Sequence, residues 1–215
     1  MLKYQETEHI STTLRKGYLM KSIKIFACLL ISVITANLYA GSFETKKYEF
    51  GIAPGVLFPG KVYISLHGDN VKQKSNFLLR AYADAFIIPQ LAFGCYFNYS
   101  TLNLEDDIEV FGKEIKKSGT PIWEIGGTIK PRFIINEKIA IKPGFSFGHR
   151  RFAGDNDFSK WKGLALNGSC EIQYRLSDKL RLFEETGFLY QPYGGNVDTD
   201  VTFDPILYVV FGIAF

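Results

Sequence analysis

The connections between the predicted strands alternate strictly between short and long along this sequence. Tight turns are predicted at Ile88-Pro89-Gln90, Asn136-Glu137 and Ser177-Asp178, and longer polar stretches at about 59–76, 100–120, 150–161 and 191–204. Short turns on one side of a membrane and longer loops on the other are typical of transmembrane β-barrels. A soluble β-sandwich has no reason to keep this order.

The segments between these connections alternate apolar and polar residues with a period of two, which indicates β-strands. Each is about ten residues or slightly longer, the length that a tilted strand needs to cross a bilayer. The predicted strands lie near 48–58, 77–87, 91–99, 121–134, 138–149, 162–176, 179–190 and 205–215. The sequence therefore predicts an all-β fold, an eight-stranded antiparallel up-and-down transmembrane β-barrel with both termini in the periplasm.

The two faces of these strands differ in side-chain size, which predicts the face that points inward. One face carries large apolar residues, and the other is rich in Gly, Ala and Ser. A solvent-facing strand gains little from glycine, whereas a narrow lumen has no space for long side chains from every strand. The large face is therefore predicted to contact lipid, against a lipocalin-like interpretation with apolar residues inside. Interface girdles are predicted at Tyr48, Phe58, Tyr99, Trp123, Trp161, Tyr174 and Tyr190.

Charged residues on the small-residue face predict an ionic network in the lumen. Its predicted members are Glu49, Arg80, Asp84, Glu124, Lys130, Arg132, Lys142, Glu171 and Arg175. Both signs are present, so a hydrogen-bonded plug without an open pore is expected. The strand at 179–190 fits less well, because either Glu184, or Arg181 and Glu185, would face lipid. A β-bulge near 183–185 is predicted to bring both carboxylates inward.

The N-terminal region predicts a targeting segment. Residues 20–40 combine Lys21 and Lys24 with an apolar run from Ile25 to Ile34 and a small residue, Ala40, before the expected cleavage site. A single-pass anchor is the competing interpretation. Residues 1–19 are interpreted as a non-native upstream extension, and 41–215 as the barrel domain. Beyond residue 40, basic and acidic residues balance (25−5 = 20 and 22−2 = 20), so nothing favours nucleic-acid binding.

The last strand carries apolar residues at every second position up to a terminal Phe: Leu207, Val209, Phe211, Ile213 and Phe215. This pattern resembles the assembly signal of outer-membrane proteins, and the resemblance implies recognition by the barrel-assembly machinery. Residues 50–55 and 83–94 resemble the small outer-membrane β-barrel domain family that includes OmpX, OmpW and the opacity proteins. The resemblance spans about 46–215 and implies a place in the cell outer membrane. That superfamily holds adhesins, structural barrels, conduits and lipid-modifying enzymes, so fold does not decide function.

Residues that carry catalysis or bind metals are sparse. His149 lacks an evident Ser and acid partner, and His67 lies in a predicted turn. Glu105, Asp106, Asp107 and Glu109 match no Ca²⁺ loop, and Asp198, Asp200 and Asp204 are judged the same way. Cys95 and Cys170 are interpreted as small lipid-facing residues, with a disulfide as the alternative. No catalytic residue, cofactor or metal site is predicted.

The first functional hypothesis is therefore a non-enzymatic, monomeric outer-membrane barrel with a structural role and a surface-binding role through its outer loops. The alternatives are an OmpW-like conduit for small apolar molecules and a lipid-A-modifying enzyme that uses His149. Outer-membrane lipids and lipopolysaccharide are the expected partners. A basic rim of Arg150, Arg151, Lys160 and Lys162 is predicted to bind lipopolysaccharide phosphates, with a merely solvated charge cluster as the equal alternative.

Overall fold

The computed structural model describes residues 47–65, 70–105, 108–110, 113–115, 119–153, 161–195 and 200–215. The predicted upstream extension and signal peptide lie outside the described residues. Regular structure within the described part of the chain is entirely β-strand. None of the described residues forms a helix long and apolar enough to cross a membrane.

Thirteen strands follow one another along the described chain. They are β1 (Tyr48–Leu57), β2 (Gly60–Ile64), β3 (Asn70–Gln73), β4 (Asn76–Ile88), β5 (Leu91–Leu102), β6 (Ile108–Val110), β7 (Lys113–Ile115), β8 (Thr120–Pro131), β9 (Phe133–Ile134), β10 (Ile139–Phe152), β11 (Lys162–Arg175), β12 (Arg181–Gly195) and β13 (Val201–Ala214).

Eight of these strands close into an antiparallel barrel in the order β1, β4, β5, β8, β10, β11, β12, β13, with β13 paired back to β1. At the closure, Phe50 and Phe215 exchange two backbone hydrogen bonds of 2.9 Å. A closed barrel leaves none of these eight strands as a free sheet edge. The predicted fold class is confirmed, and the short turns near residues 89, 136 and 178 lie at the end of the barrel that we expect to face the periplasm.

The outer end contains more β-structure than the sequence predicted. Within the predicted polar stretch at 59–76, β2 and β3 form a hairpin that continues β1 and β4 outward. β2 also pairs with the start of β13, as Val62 opposite Phe203. A second hairpin, β6–β7, lies within the predicted stretch at 100–120. The outer connections are therefore partly strand extensions.

Side-chain exposure is inverted relative to a soluble protein. Leu207 and Phe211 point outward and are each 60% exposed, whereas Arg80 and Lys130 are fully buried inside. This confirms the predicted inward direction of the small-residue and charged face. Trp161 is an exception to the predicted girdle, because it is buried at the outer end with its ring edge-on to Phe152 at 5.8 Å.

The predicted bulge near 183–185 is wrong. β12 keeps an uninterrupted register with β11 and β13 from Arg181 to Leu189. Glu185 therefore points inward, and Glu184 points outward between Ile172 and Phe211. Irregularities in the register occur nearer the outer end, after Leu189. The outward position of the Glu184 carboxylate follows from the unbroken hydrogen-bond ladder of β12.

Candidate functional site

Glu49, near the start of β1, organises the charges in the periplasmic half of the barrel. Its carboxylate lies 3.2 Å from Arg132 Nη2 and 3.0 Å from Arg181 Nη1, and it contacts the ammonium of Lys142. Alternation along β1, β10 and β12 aims Glu49, Lys142 and Arg181 at one point, because every second residue of a strand points into the lumen. Arg132 reaches the same point from the position between β8 and β9. A single carboxylate therefore contacts three buried cations.

A second group of charges lies beside Glu49. Lys142 Nζ lies 3.3 Å from Asp84 and 3.1 Å from Glu171, and Lys130 Nζ lies 3.4 Å and 3.1 Å from the same two carboxylates. All four side chains are fully buried. We define the periplasmic charge layer as Glu49, Asp84, Lys130, Arg132, Lys142, Glu171 and Arg181.

Neutral side chains bind this layer together. The Tyr82 hydroxyl lies 2.9 Å from Glu171 Oε1 and 3.1 Å from Glu49 Oε1. Gln173 Nε2 donates to the same two carboxylates at 2.7 and 2.8 Å. These bonds satisfy part of the hydrogen-bonding capacity of the layer, which lowers the cost of burying its charges.

Two further ion pairs lie towards the outer end. Arg80 Nε is 3.0 Å from Glu185 Oε1, which also accepts a hydrogen bond from Tyr208. Arg150 holds one Glu124 oxygen through Nε at 3.0 Å and Nη2 at 2.7 Å, while Asn167 donates to the other. Among the described residues, the buried charges are then five carboxylates and six cations. Near-balance of charge is what a stable buried network requires.

Above the Arg150–Glu124 pair, the interior becomes apolar. Its buried residues include Leu57, Val62, Leu104, Phe152, Trp161, Phe203 and Ile206. The rings of Phe152 and Phe203 stack at 5.8 Å. A cavity of about 20 Å³ remains beside Gln73 and Phe203, which is room for about one or two waters. The described side chains thus pack the interior at both ends.

The structure places eight of the nine predicted lumen residues in the interior and brings them into the contacts above. Arg175 differs: its guanidinium bonds Asp178 in the periplasmic turn, and its side chain is 23% exposed. Sequence reasoning missed Arg181 and Arg150, and it brought Glu185 inward only through a bulge that the structure does not contain. A regular alternation along β12, without a bulge, places Arg181 and Glu185 on the inward face together with Phe183 and Gly187. This alternation is the sequence signal that could have found both residues.

Other predicted residues lie on the outside. Leu207, Phe211, Ile213 and Phe215 of the predicted assembly signal are exposed, and Val209 is half-buried. Cys95 and Cys170 are free, exposed thiols, so the disulfide alternative does not hold in this structure.

The predicted basic rim is divided by the fold. Arg150 points inward to Glu124, Arg151 and Lys162 point outward, and Lys160 lies outside the described residues. His149 is exposed on the outer wall, and His67 lies outside the described residues. Within the described chain, no group of three His, Cys, Asp or Glu side chains is placed to hold a metal ion.

No family model matches the chain, and no curated protein matches it. Solved structures do match. Neisserial surface protein A (NspA) aligns with a TM-score of 0.51 and 14% identity, over 78% of this chain and 94% of that one. The outer membrane protein OprG from Pseudomonas aeruginosa aligns with a TM-score of 0.49 and 12% identity, over 80% of this chain and 97% of that one. A major outer membrane protein from Thermus thermophilus aligns with a TM-score of 0.47 and 12% identity, over 79% of this chain and 99% of that one.

The chain has the fold of a small outer-membrane β-barrel. NspA carries this conclusion, and the sequence resemblance to the small outer-membrane barrels is confirmed at the level of fold. The outward apolar wall fits the same location, since an apolar band on a closed barrel is stable in a bilayer and strands of 10 to 15 residues span one. The fold and the outward apolar wall therefore make this chain a membrane-spanning β-barrel.

Proposed function

We propose that this protein is a non-enzymatic structural barrel of the outer membrane, without an open pore, whose outer end serves as a binding surface. The observation that carries the proposal is the packed interior. The periplasmic charge layer fills the lower lumen, and apolar side chains from β2, β5, β10 and β13 fill the upper lumen. Eight-stranded barrels have an interior that side chains fill.

The outer surface supports the binding role. The β2–β3 hairpin extends the barrel at its outer rim. One face of the hairpin carries the buried side chains of Val62, Ile64 and Val71. Its opposite face presents Lys61 and Lys72 to solvent. Rigid β-structure that carries exposed polar groups suits recognition, because little conformational entropy is lost on binding.

Two measurements test this function. Reconstituted protein is expected to give no conductance steps in planar bilayers, and well-resolved channels would overturn the closed interior. On intact cells, a membrane-impermeant amine reagent is expected to modify Lys61 and Lys72 and to spare Lys138 in the periplasmic turn. The reverse labelling pattern would overturn the orientation and the surface role together.

A conduit for small apolar molecules is the second candidate, because the outer half of the lumen is apolar around Phe203 and Ile206. The packed charge layer and the small cavity count against it. Faster uptake of a small alkane by vesicles that contain the protein, slowed by a Phe203→Arg substitution that leaves folding intact, would favour the conduit.

An enzymatic role for His149 has less support. The side chain lies on the outer wall between Ile125 and Leu164 of the neighbouring strands. Among the described residues, none supplies the hydroxyl and carboxylate partners that activate a catalytic His. Unchanged lipid-A composition in cells that carry His149→Ala is the expected result.

A further inference from the structure

Three nitrogen-bearing side chains meet on the outer wall of the barrel near its outer end. His149 and Arg151 are two residues apart on β10 and therefore share a face. Lys162 is the direct cross-strand partner of Arg151 on β11. All three are exposed, whereas the alternating residues Arg150 and Gly163 point inward. We refer to His149, Arg151 and Lys162 as the outer-wall cation cluster.

Among the residues that the structure describes, no carboxylate on the wall compensates the charge of this cluster. No described acidic residue forms an ion pair with any of its members. The neighbour of Lys162 on β12 is Gly195, and Asp200 follows only beyond it, about 10 Å away at two strand spacings. Like charges directly opposite each other destabilise a strand pair. An anion between Arg151 and Lys162 would remove that repulsion.

Aromatic and apolar neighbours fix the height of the cluster in the membrane. Trp123 is the partner of Arg151 on β8, and its ring centre lies 5.9 Å from the guanidinium carbon. Tyr193, on the strand beyond β11, is 73% exposed. Such aromatic side chains mark the boundary between hydrocarbon and headgroups. Below them, Phe147 and Leu164 are exposed on the lipid-facing wall.

We propose that the outer-wall cation cluster binds the phosphate group of an outer-leaflet lipid. Arg151 supplies a planar fork that suits phosphate oxygens, and Lys162 and His149 supply donors on two sides of it. The acyl chains of the same lipid then lie along Phe147 and Leu164. A soluble anion has no use for that apolar surface, which is why a lipid is the occupant. The inference rests on the outer orientation proposed above.

The chain contains a built-in reporter for this site. It has two Trp residues, and the side chain of Trp161 is buried in the outer apolar core, on the inner side of the wall, although Trp161 directly precedes Lys162 in the chain. A Trp161→Phe background leaves Trp123, which contacts Arg151, as the fluorophore. The full-length protein in this background is reconstituted into phosphatidylcholine vesicles with increasing mole fractions of bisphosphorylated lipid A. Dephosphorylated lipid A and inorganic phosphate are the two comparison probes.

A saturable change in Trp123 emission is expected with the phosphorylated lipid alone. The variant His149→Gln/Arg151→Gln/Lys162→Gln is expected to weaken it at least about tenfold, since hydrogen bonds to charged groups are lost. The matched control is Lys138→Gln/Lys179→Gln, which removes two cations from the periplasmic end and is expected to bind as the parent does. Heat-modifiable gel mobility shows that each variant is folded.

Equal binding by the triple variant and its parent would overturn the site. Equal responses to phosphorylated and dephosphorylated lipid would remove phosphate from the recognition. Saturation by inorganic phosphate, without competition from the lipid, would assign the cluster to a soluble anion instead. The lipid site is tested by Trp123 emission, whereas the proposed function is tested by conductance and by surface labelling. Either one can therefore fail without the other.

Discussion

Arg181 Nη1 lies 3.0 Å from Glu49 Oε2 in the barrel interior, although 132 positions separate the two residues in the chain. Glu49 belongs to β1 and Arg181 to β12, and β13 lies between these strands in the sheet. The contact therefore bridges the inner face of β13, where Ala214 pairs with Arg181 on one side and with Gly51 on the other. It ties the two ends of the barrel chain together inside the membrane.

The first prediction concerns this carboxylate. Glu49→Ala leaves Lys142, Arg132 and Arg181 without their shared partner, and breaking a buried ion pair costs about 3–5 kcal/mol. We expect the free energy of unfolding to fall by about that amount, measured by urea titration of the protein in lipid vesicles. Glu105→Ala is the matched control, because its pair with Lys72 is exposed and 3.8 Å long. A similar loss in both variants would contradict a structural role for the charge layer.

The second prediction compares two adjacent glutamates. Glu184→Leu replaces an outward carboxylate between Ile172 and Phe211 with an apolar group, so we expect stability to be kept or raised. Glu185→Leu leaves buried Arg80 unpaired and is expected to destabilise the barrel. Urea unfolding of the two variants decides between this register and a bulge. Comparable losses in both would indicate that both carboxylates point inward.

The fold was predictable because strand alternation and the order of short and long connections are local properties of the sequence. The strands were predicted to within a few residues at most ends, as for β1 at 48–58 against Tyr48–Leu57. The β2–β3 hairpin was not predicted. Its strands are short, and the buried residues that hold it, such as Val62 against Phe203, come from distant parts of the chain.

The third prediction concerns neighbouring glycines on β8. A Cβ on Gly126 would collide with the backbone oxygen of Phe147, whereas one on outward Gly127 meets the Phe147 ring at 3.3 Å and the Gly94 backbone oxygen at an ordinary 3.8 Å. Gly126→Ala therefore requires the backbone to move, and we expect a loss of about 1–3 kcal/mol in unfolding free energy. Gly127→Ala is the control and is expected to fold as the parent does. Equal tolerance would show that the wall at β8–β10 is less tightly packed.

The fourth prediction concerns the two thiols. Cys95 lies on β5 and Cys170 on β11, with β8 and β10 between them, so about three strand spacings or 14 Å separate the strands. A disulfide requires Cα atoms within about 7 Å. We expect a disulfide-forming oxidant to cause no loss of two hydrogens from the intact mass of the purified protein, and both thiols to react with a membrane-permeant maleimide. A loss of two hydrogens would disprove this placement.

The ionic network shows where sequence reasoning reaches its limit. Parity along a strand indicates which residues share a face, and it placed Glu49, Lys130 and Lys142 in the lumen. It does not indicate where a strand leaves the lumen, so Arg175 was included although it bonds Asp178 in the turn. It also does not distinguish an outward glutamate from a bulge. That choice depends on the cross-strand register with β11 and β13, which one sequence does not contain.

The last prediction concerns the proposed assembly signal at the C-terminus. Phe215 is exposed, and its backbone pairs with Phe50, so its ring contributes little to packing in the folded barrel. We therefore expect Phe215→Ala to reduce the amount of barrel in the membrane fraction, while purified protein unfolds at nearly the parent urea concentration. Phe145→Ala is the control, because Phe145 is an equally outward ring on β10, outside the last strand. A loss of membrane protein in both variants would point to lipid contacts, and a loss only in Phe215→Ala would point to recognition during insertion.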